Sequence, residues 1–573
     1  MKKLLLTIVT ILIISGQAWG TTYYVDYSSG ADTNNGTSTS TPWKLAPGML
    51  GWTGSATLAS GDIVVLKGGV TWTFTDYVNH LWTLPTGGIT IEGGQLLGTP
   101  WGTGYPILDG TGTTNLNGRA GIYSSGLSNI TINGIGIANV IHTAEGSGWG
   151  FIGIGVQNNI EIKNCSINNI GANTFTFVPS DGSSHFLFHD NVVQNVGRSG
   201  FIGVGGCYAV DDVQIYNNDF QGQGTFNDPT GQYHGDGLMI GENCATCPSL
   251  LTNVLIHHNK WHGVWPYGET AIIYLNDDTG PDDATRCGGY HAKIYDNQIA
   301  QEGNGISSER MIEVDNGWQD VEIYNNTIGG TATSNITGCI DVLNGSSATI
   351  QGNIFDSCDN GITVLDTSTV TADYDLYHVG TRMINGWGGT SVDCRTISAC
   401  QGSPFYQEAH GLSGLPDFIS VPTGTEGSGN WHLQSDSPAI DTIPTASAPT
   451  ALFTTDLDYV TRPQGSAWDM GAYEYNGNIS SATTTTSLAT TTPPVTTASS
   501  VAVNKNMVKV SLKCTDTWGP GCMITYYTVG GSNPSTSSTP YFTSFNVRHN
   551  MNVKFFSVDK INNTEAIKSL YIQ

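Results

Sequence analysis

The sequence predicts an all-β chain: a right-handed parallel β-helix followed by a linker and a small β-sandwich. Three observations predict it. A short strand pattern ending in asparagine recurs through the middle of the chain. A second strand pattern recurs between its copies. The composition, with 73 glycines, 10 % aromatic and only 12 % charged residues, suits many short strands joined by tight turns and is unlike a disordered chain.

The first repeated segments are Asn159 to Cys165, Phe186 to Asn191, Val213 to Asn218, Val254 to Asn259, Ala292 to Asn297, Val321 to Asn326 and Ala348 to Asn353. Each carries two apolar residues at spacing two and then a bend, which describes a strand with one buried face. From Cys165 to Asn353 the column advances in steps of 26, 27, 41, 38, 29 and 27 residues. One near-constant step with two exceptions predicts one coil per repeat, with loops inserted into two coils. Stacked coils place their strands side by side, about 4.8 Å apart. The inward asparagines are then expected to form a hydrogen-bonded ladder that satisfies buried turn amides. Cys165, first in the column, is expected to be a free buried thiol. The eleven cysteines leave at least one unpaired, and the pairs nearest in sequence are Cys244 and Cys247, Cys394 and Cys400, and Cys514 and Cys522.

The second strand set starts at Phe151, Phe201, Gly237, Ile272, Met311, Cys339 and Gly361. Before the coils, residues 1–20 read as a signal peptide: Lys2 and Lys3, an apolar run from Leu4 to Ile14, and Ala18-Trp19-Gly20 as a cleavage site. The apolar run is too short to span a bilayer. A secreted, extracellular chain without membrane insertion is expected. After the coils, residues 476–500 form a Thr/Ser/Pro-rich linker, and residues 501–573 a separate unit of alternating strands.

On these residues the chain resembles the secreted bacterial β-helix proteins of the pectate-lyase-like superfamily. Tyr23 to Asp26, Asn34 to Thr37, Thr41 to Lys44 and Gly61 to Gly69 resemble that group's N-terminal cap. Ser437 to Asp441, Asp458 to Pro463 and Asp469 to Glu474 resemble its closing segment, so the β-helix is expected over residues 21–475. Cys514 to Cys522, Ile524 to Tyr527 and Lys554 to Asp559 with Asn563 to Glu565 resemble the β-sandwich module at the C-terminus of chitobiase-type enzymes. The resemblance implies a multimodular extracellular protein and names no substrate.

Aligning the coils sorts the outward positions. One column reads Gly153, Gly203, Met239, Tyr274, Glu313, Asp341, Thr363, and the next Gly155, Gly205, Gly241, Asn276, Asp315. Stacking puts Glu313 beside Asp341, with Asp315 on the same face. Adjacent carboxylates are costly unless a cation binds or one keeps its proton. Either outcome serves chemistry, as an acid–base pair or as a calcium site. The bland alternative is a solvated acidic face. Tyr233 to Gly237 carries His234 and Asp236 as a base and its orienting partner, as a cation ligand, or as a surface turn. Arg310 and Arg198 stand near strand starts, where a guanidinium would neutralise a uronate, or simply form surface ion pairs. Glu269, Tyr267, Trp265 and Tyr274 are expected to line a substrate groove. Asn276, Asp277, Asp278, Asp282, Asp283 and Asp315 supply oxygen donors for calcium. A further outward column, Lys163, His189, Tyr216, His257, Tyr295, Tyr324, offers rings for sugars or for one another.

The formal charge of −26 disfavours nucleic acid and anionic membranes as partners. The expectation is a monomeric polysaccharide-degrading enzyme, either a lyase acting on a uronate glycan with calcium or a glycoside hydrolase. The alternative is a non-catalytic protein for glycan binding or adhesion.

Overall fold

The computed structural model describes residues 20–74, 80–111, 120–140, 148–180, 182–198, 200–204, 209–223, 236–242, 250–265, 271–277, 289–302, 309–331, 336–387, 392–421, 429–477, 494–504, 507–515, 522–535, 538–541, 545–559 and 564–572. The expected signal segment, Cys244 and Cys247, and most of the linker lie outside them. Among the described residues no helix is long and apolar enough to cross a membrane.

Three long sheets, of 12, 11 and 12 strands, run side by side along the chain, and consecutive members of each pair in parallel. Each coil gives one strand to each sheet, which makes a parallel β-helix. The core follows from register. Ile162, Phe188, Ile215, Ile256, Ile294, Ile323 and Ile350 lie side by side in successive strands of the first sheet, all buried.

The asparagine column forms as expected. The amide of Cys165 donates to Asn191 Oδ1 at 2.9 Å, that of Asn191 to Asn218 at 3.1 Å, and so on through Asn259, Asn297, Asn326 and Asn353. Each Nδ2 donates to a carbonyl of the preceding coil, as Asn259 does to Ile215 at 2.9 Å. The residue before each ladder position takes a left-handed conformation: Asn164, Asp190, Asn217, His258, Asp296, Asn325 and Gly352, with φ between 48° and 72°. Asn, Asp and Gly tolerate that corner best. The recurring Asn-Asn and Asp-Asn pairs thus divide the work: the first residue turns the chain and the second feeds the ladder.

Cys165 is a free buried thiol, and burial pushes it up to about 12. Cys394 pairs with Cys400, Cys339 with Cys358, and Cys514 is also disulfide-bonded. The closing segment packs on the coils through its own core of Phe418, Trp431, Phe453 and Trp468. Arg462, fully buried, joins Asp296 of a coil corner at 2.8 Å to Glu474 at 3.0 Å. The C-terminal unit has two antiparallel sheets of three and four strands. Its first strand, Val495–Asn504, begins inside the stretch read as linker.

Candidate functional site

The second sheet carries the acidic column. In the Leu238–Glu242, Ala271–Asp277, Glu309–Val314, Ile336–Val342 and Asn360–Val364 strands, register puts Met239, Tyr274, Glu313, Asp341 and Thr363 side by side. That part of the expected column holds. Its first two members do not. The Phe175–Pro179 strand, not foreseen, pairs Gly153 with the core residue Phe177, and Phe201, not Gly203, lies beside Met239. A slip of one residue moves a side chain to the opposite face, so Gly153 faces the core.

Glu313 and Asp341 point away from the coil interior yet are buried, at 3 % and 6 % exposure. Arg310 bridges them: its Nη1 lies 3.0 Å from Glu313 Oε2 and its Nε 2.7 Å from Asp341 Oδ2. Three residues along an ideal strand would face opposite ways. Here Met311 and Ile312 both enter the core, so the alternation is interrupted between Arg310 and Glu313, and the pairing with the next strand is irregular at Glu309 and Arg310. The Glu313 carboxyl is pushed up to about 8. Burial is the main cause, Arg310 opposes it, and Asp341, Asp315 and Asp236 add to it. Asp341 is also raised, again by burial against the pull of Arg310. The Tyr274 phenol is raised by burial, then by Glu313, Asp315 and Asp236, and stays neutral. A buried pair of this kind keeps one proton at neutral pH, with Arg310 balancing the charge that remains.

Asp236 joins this neighbourhood from the preceding coil. Its Oδ1 accepts the Ala271 amide at 3.2 Å, which fixes the start of the Tyr274 strand. Its expected partner His234 lies outside the described residues, as do Tyr267, Glu269, Asp278, Asp282 and Asp283. Asp277 ends its strand, with its side chain outside the description. Asn276 and Asp315 are engaged in a polar chain. Asn316 Nδ2 donates to Asn276 Oδ1 at 2.8 Å, and Asp315 Oδ1 accepts the Asn316 amide and Asn344 Nδ2, each at 2.7 Å. Asn316 and Asn344 were missed in the sequence, although each precedes a glycine and takes a left-handed corner. Among the described residues no group of three or more His, Cys, Asp or Glu is arranged to hold a metal. Of the expected calcium set only Asn276 and Asp315 have described side chains, and both are engaged in this polar chain.

Two other expectations change. Trp265 is fully buried in the core, its backbone paired with the Gln301 side chain at 2.9 and 3.0 Å, and lines no groove. The tryptophan stands near an inserted loop in sequence but belongs to the coil. Arg198 ends the Val192–Arg198 strand of the third sheet, and its carbonyl accepts the Thr174 amide at 3.1 Å, while Arg310 contacts Glu313 and Asp341 on the second sheet.

The ring column on the first sheet has the expected register from Lys163 to Tyr324. His189, Tyr216, His257 and Tyr295 stack with centroids 4.5, 5.0 and 4.7 Å apart and planes within 8° of parallel. Phe453 stacks on Tyr295 at 4.8 Å. The ring faces are thereby occupied by one another, which leaves edges for solvent and no platform for a sugar. Burial, with His258 adjacent, lowers His257 to about 3, so the stack carries no charge there at neutral pH.

Residues 476–569 match the family described as Chitobiase/beta-hexosaminidase C-terminal domain. Comparison with curated proteins finds no match. Among solved structures, a lacto-N-biosidase from Eubacterium ramulus is similar at 15 % identity and a TM-score of 0.35, over 62 % of this chain and 63 % of that one. The chain thus spans less than two thirds of that protein's length. A rhamnogalacturonan lyase is similar at 14 % identity and a TM-score of 0.26, over 73 % and 97 % of the two chains. A tailspike of Acinetobacter baumannii bacteriophage Fri1, a capsular polysaccharide depolymerase, is similar at 10 % identity and a TM-score of 0.27, over 89 % and 73 %.

Proposed function

We propose that the protein is an extracellular glycan-degrading enzyme that cleaves glycosidic bonds by hydrolysis, with Glu313 as general acid and Asp341 as its partner carboxylate. One observation carries the reading: a carboxyl pushed up to about 8 stands one coil from a second carboxyl, with a guanidinium bridging the two. A carboxylic acid that keeps its proton at neutral pH can protonate a leaving oxygen. In the reaction the Glu313 proton passes to the glycosidic oxygen and the bond to the anomeric carbon breaks as the Asp341 carboxylate bonds to that carbon; a water that gives its proton back to Glu313 then displaces Asp341 and releases the sugar. The coil spacing of about 4.8 Å suits the short carboxyl separation of retaining enzymes.

The substrate class follows from charge. Asp236, Asp315 and Asp341 all act on Glu313, and the one arginine beside it is already engaged with Glu313 and Asp341. Such a site favours a neutral or amino sugar over a polyuronate. Elimination on a uronate needs a free cation beside the sugar carboxylate, and Arg310 does not offer one.

The test is digestion of a panel of neutral, amino-sugar and uronate glycans. New reducing ends without an ultraviolet-absorbing unsaturated product are expected. Glu313→Gln and Asp341→Asn should each lower kcat by roughly a hundredfold or more. An unsaturated product would instead establish the lyase. Full activity in both variants would remove these residues from the chemistry, and binding without turnover would make the protein a glycan-binding one.

A further inference from the structure

The asparagine ladder ends on a residue of a different kind. Asp375 follows Asn353 by 22 residues and occupies the next place in the column: its Oδ1 accepts the Asn353 amide at 2.7 Å and Asn353 Nδ2 at 3.0 Å. Every earlier rung from Asn191 to Asn353 is an amide that accepts with its oxygen and donates with its nitrogen. A carboxylate can only accept. Asp375 Oδ2 is nevertheless buried, with no partner that donates to it.

Facing it is Glu408, also fully buried. Glu408 Oε1 accepts the Tyr377 hydroxyl at 2.6 Å, and Oε2 accepts the Asp375 amide at 3.3 Å. Burial raises both carboxyls, Asp375 most strongly, and each carboxyl acts on the titration of the other. Among the described residues neither acid forms an ion pair with Lys or Arg. The other titratable groups facing the pair are Tyr377 and Asp373, and Asp373 is engaged with His410 at 2.9 Å. With no cation to balance two charges, one carboxyl must hold a proton and donate it to the other. Glu408 also anchors the last coil. Its amide donates to the Ala372 carbonyl at 2.9 Å, and Gln401 Nε2 donates to its carbonyl at 2.9 Å. A side chain at Gly411 would put its Cβ 2.3 Å from Glu408 Oε2, so the chain passes as close to the acid as glycine allows.

We infer that Asp375 and Glu408 are a proton-sharing acid–carboxylate pair that locks the last coil to the end of the asparagine ladder, and that loss of this proton in alkaline solution opens the lock.

The sign follows from linkage. Carboxyls raised in the folded state hold more protons than in the unfolded chain, so their contribution is complete in acid and declines as pH rises through the folded-state titration. Hydrogen exchange on the full chain, corrected for the intrinsic pH dependence of exchange, reads the effect locally. Between pH 6 and pH 9 the segments 372–378 and 400–412 should lose protection by about tenfold relative to the strand around Asn259. Asp375→Asn restores an amide: its Nδ2 can donate to Glu408 at any pH, so protection should become independent of pH and exceed that of the unaltered chain at pH 9. Protection in the unaltered chain that does not change with pH, or an Asp375→Asn chain that opens at pH 9 as readily, overturns the proposal. If Asp375→Asn fails to fold, Glu408→Gln supplies the donor from the other side and is held to the same two outcomes.

Discussion

The chain buries two polar columns, each with one residue per coil, and they behave in opposite ways. In the ladder from Asn191 to Asn353 every side chain donates and accepts, so each added rung satisfies the last. In the column of Tyr274, Glu313 and Asp341 the acids only accept, so each added rung makes the next harder to ionise. The first column closes on itself. The second stays closed only with a retained proton and the Arg310 guanidinium. Repetition of an amide is a structural solution, whereas repetition of a carboxyl stores chemical potential that a substrate can draw on.

The largest effect is expected from breaking the ladder. Asn259→Ala removes the acceptor of the Asn218 amide and Nδ2 and leaves the Ile215 carbonyl without its donor. Chemical denaturation should show a loss of about 3 kcal/mol, since each orphaned buried group costs on the order of 1–3 kcal/mol. Next comes Arg310→Met, which strips the acidic column of its cation. The Arg310 side chain is 34 % exposed, so solvent softens the loss to about 1–2 kcal/mol at neutral pH. That loss should shrink in acid, where both carboxyls are protonated. Were Arg310→Met as harmful at pH 4 as at pH 8, charge balance would not be its role.

A pH titration sharpens the contrast further. Glu313 is raised to about 8, so the folded chain holds its proton where the unfolded chain has lost it. Its contribution to stability is complete below the ordinary carboxylate range and is lost as pH rises through about 8. Glu313→Gln should flatten the decline of denaturation midpoint between pH 5 and pH 9, while Asn297→Ala lowers the curve and leaves its shape unchanged. The smallest effect is expected from chelation. Removing divalent cations should leave both stability and turnover within error, and a clear loss would establish the calcium reading.

Much of this was legible in the sequence because it depends on spacing. The recurring Asn column and its near-constant step reveal coils, and the coil alignment alone puts Tyr274, Glu313 and Asp341 together. Aligning Phe151 and Phe201 by their shared Phe-Ile-Gly failed. An intervening strand at Phe175 shifts the register, and a period of two punishes a single-residue error by reversing the face. Arg310 reaches Glu313 because alternation is interrupted where Met311 and Ile312 both turn inward, which no alternation rule anticipates. Trp265 was misread because a tryptophan beside an inserted loop looks like a groove wall. Asp375 went unseen because the column was read as asparagines, and its final step of 22 residues falls short of the others.

The corner-and-rung pair has a consequence for how such a chain can grow. Each coil owes its neighbours one left-handed residue and one side-chain amide, and nothing in that debt specifies what lies between. The 41- and 38-residue steps keep the column unbroken while carrying about a dozen extra residues apiece. Duplication or deletion of a whole coil would leave every remaining neighbour with the same interface. The length of the solenoid is thus open to inheritance in whole coils, while the loops between them are free to diverge.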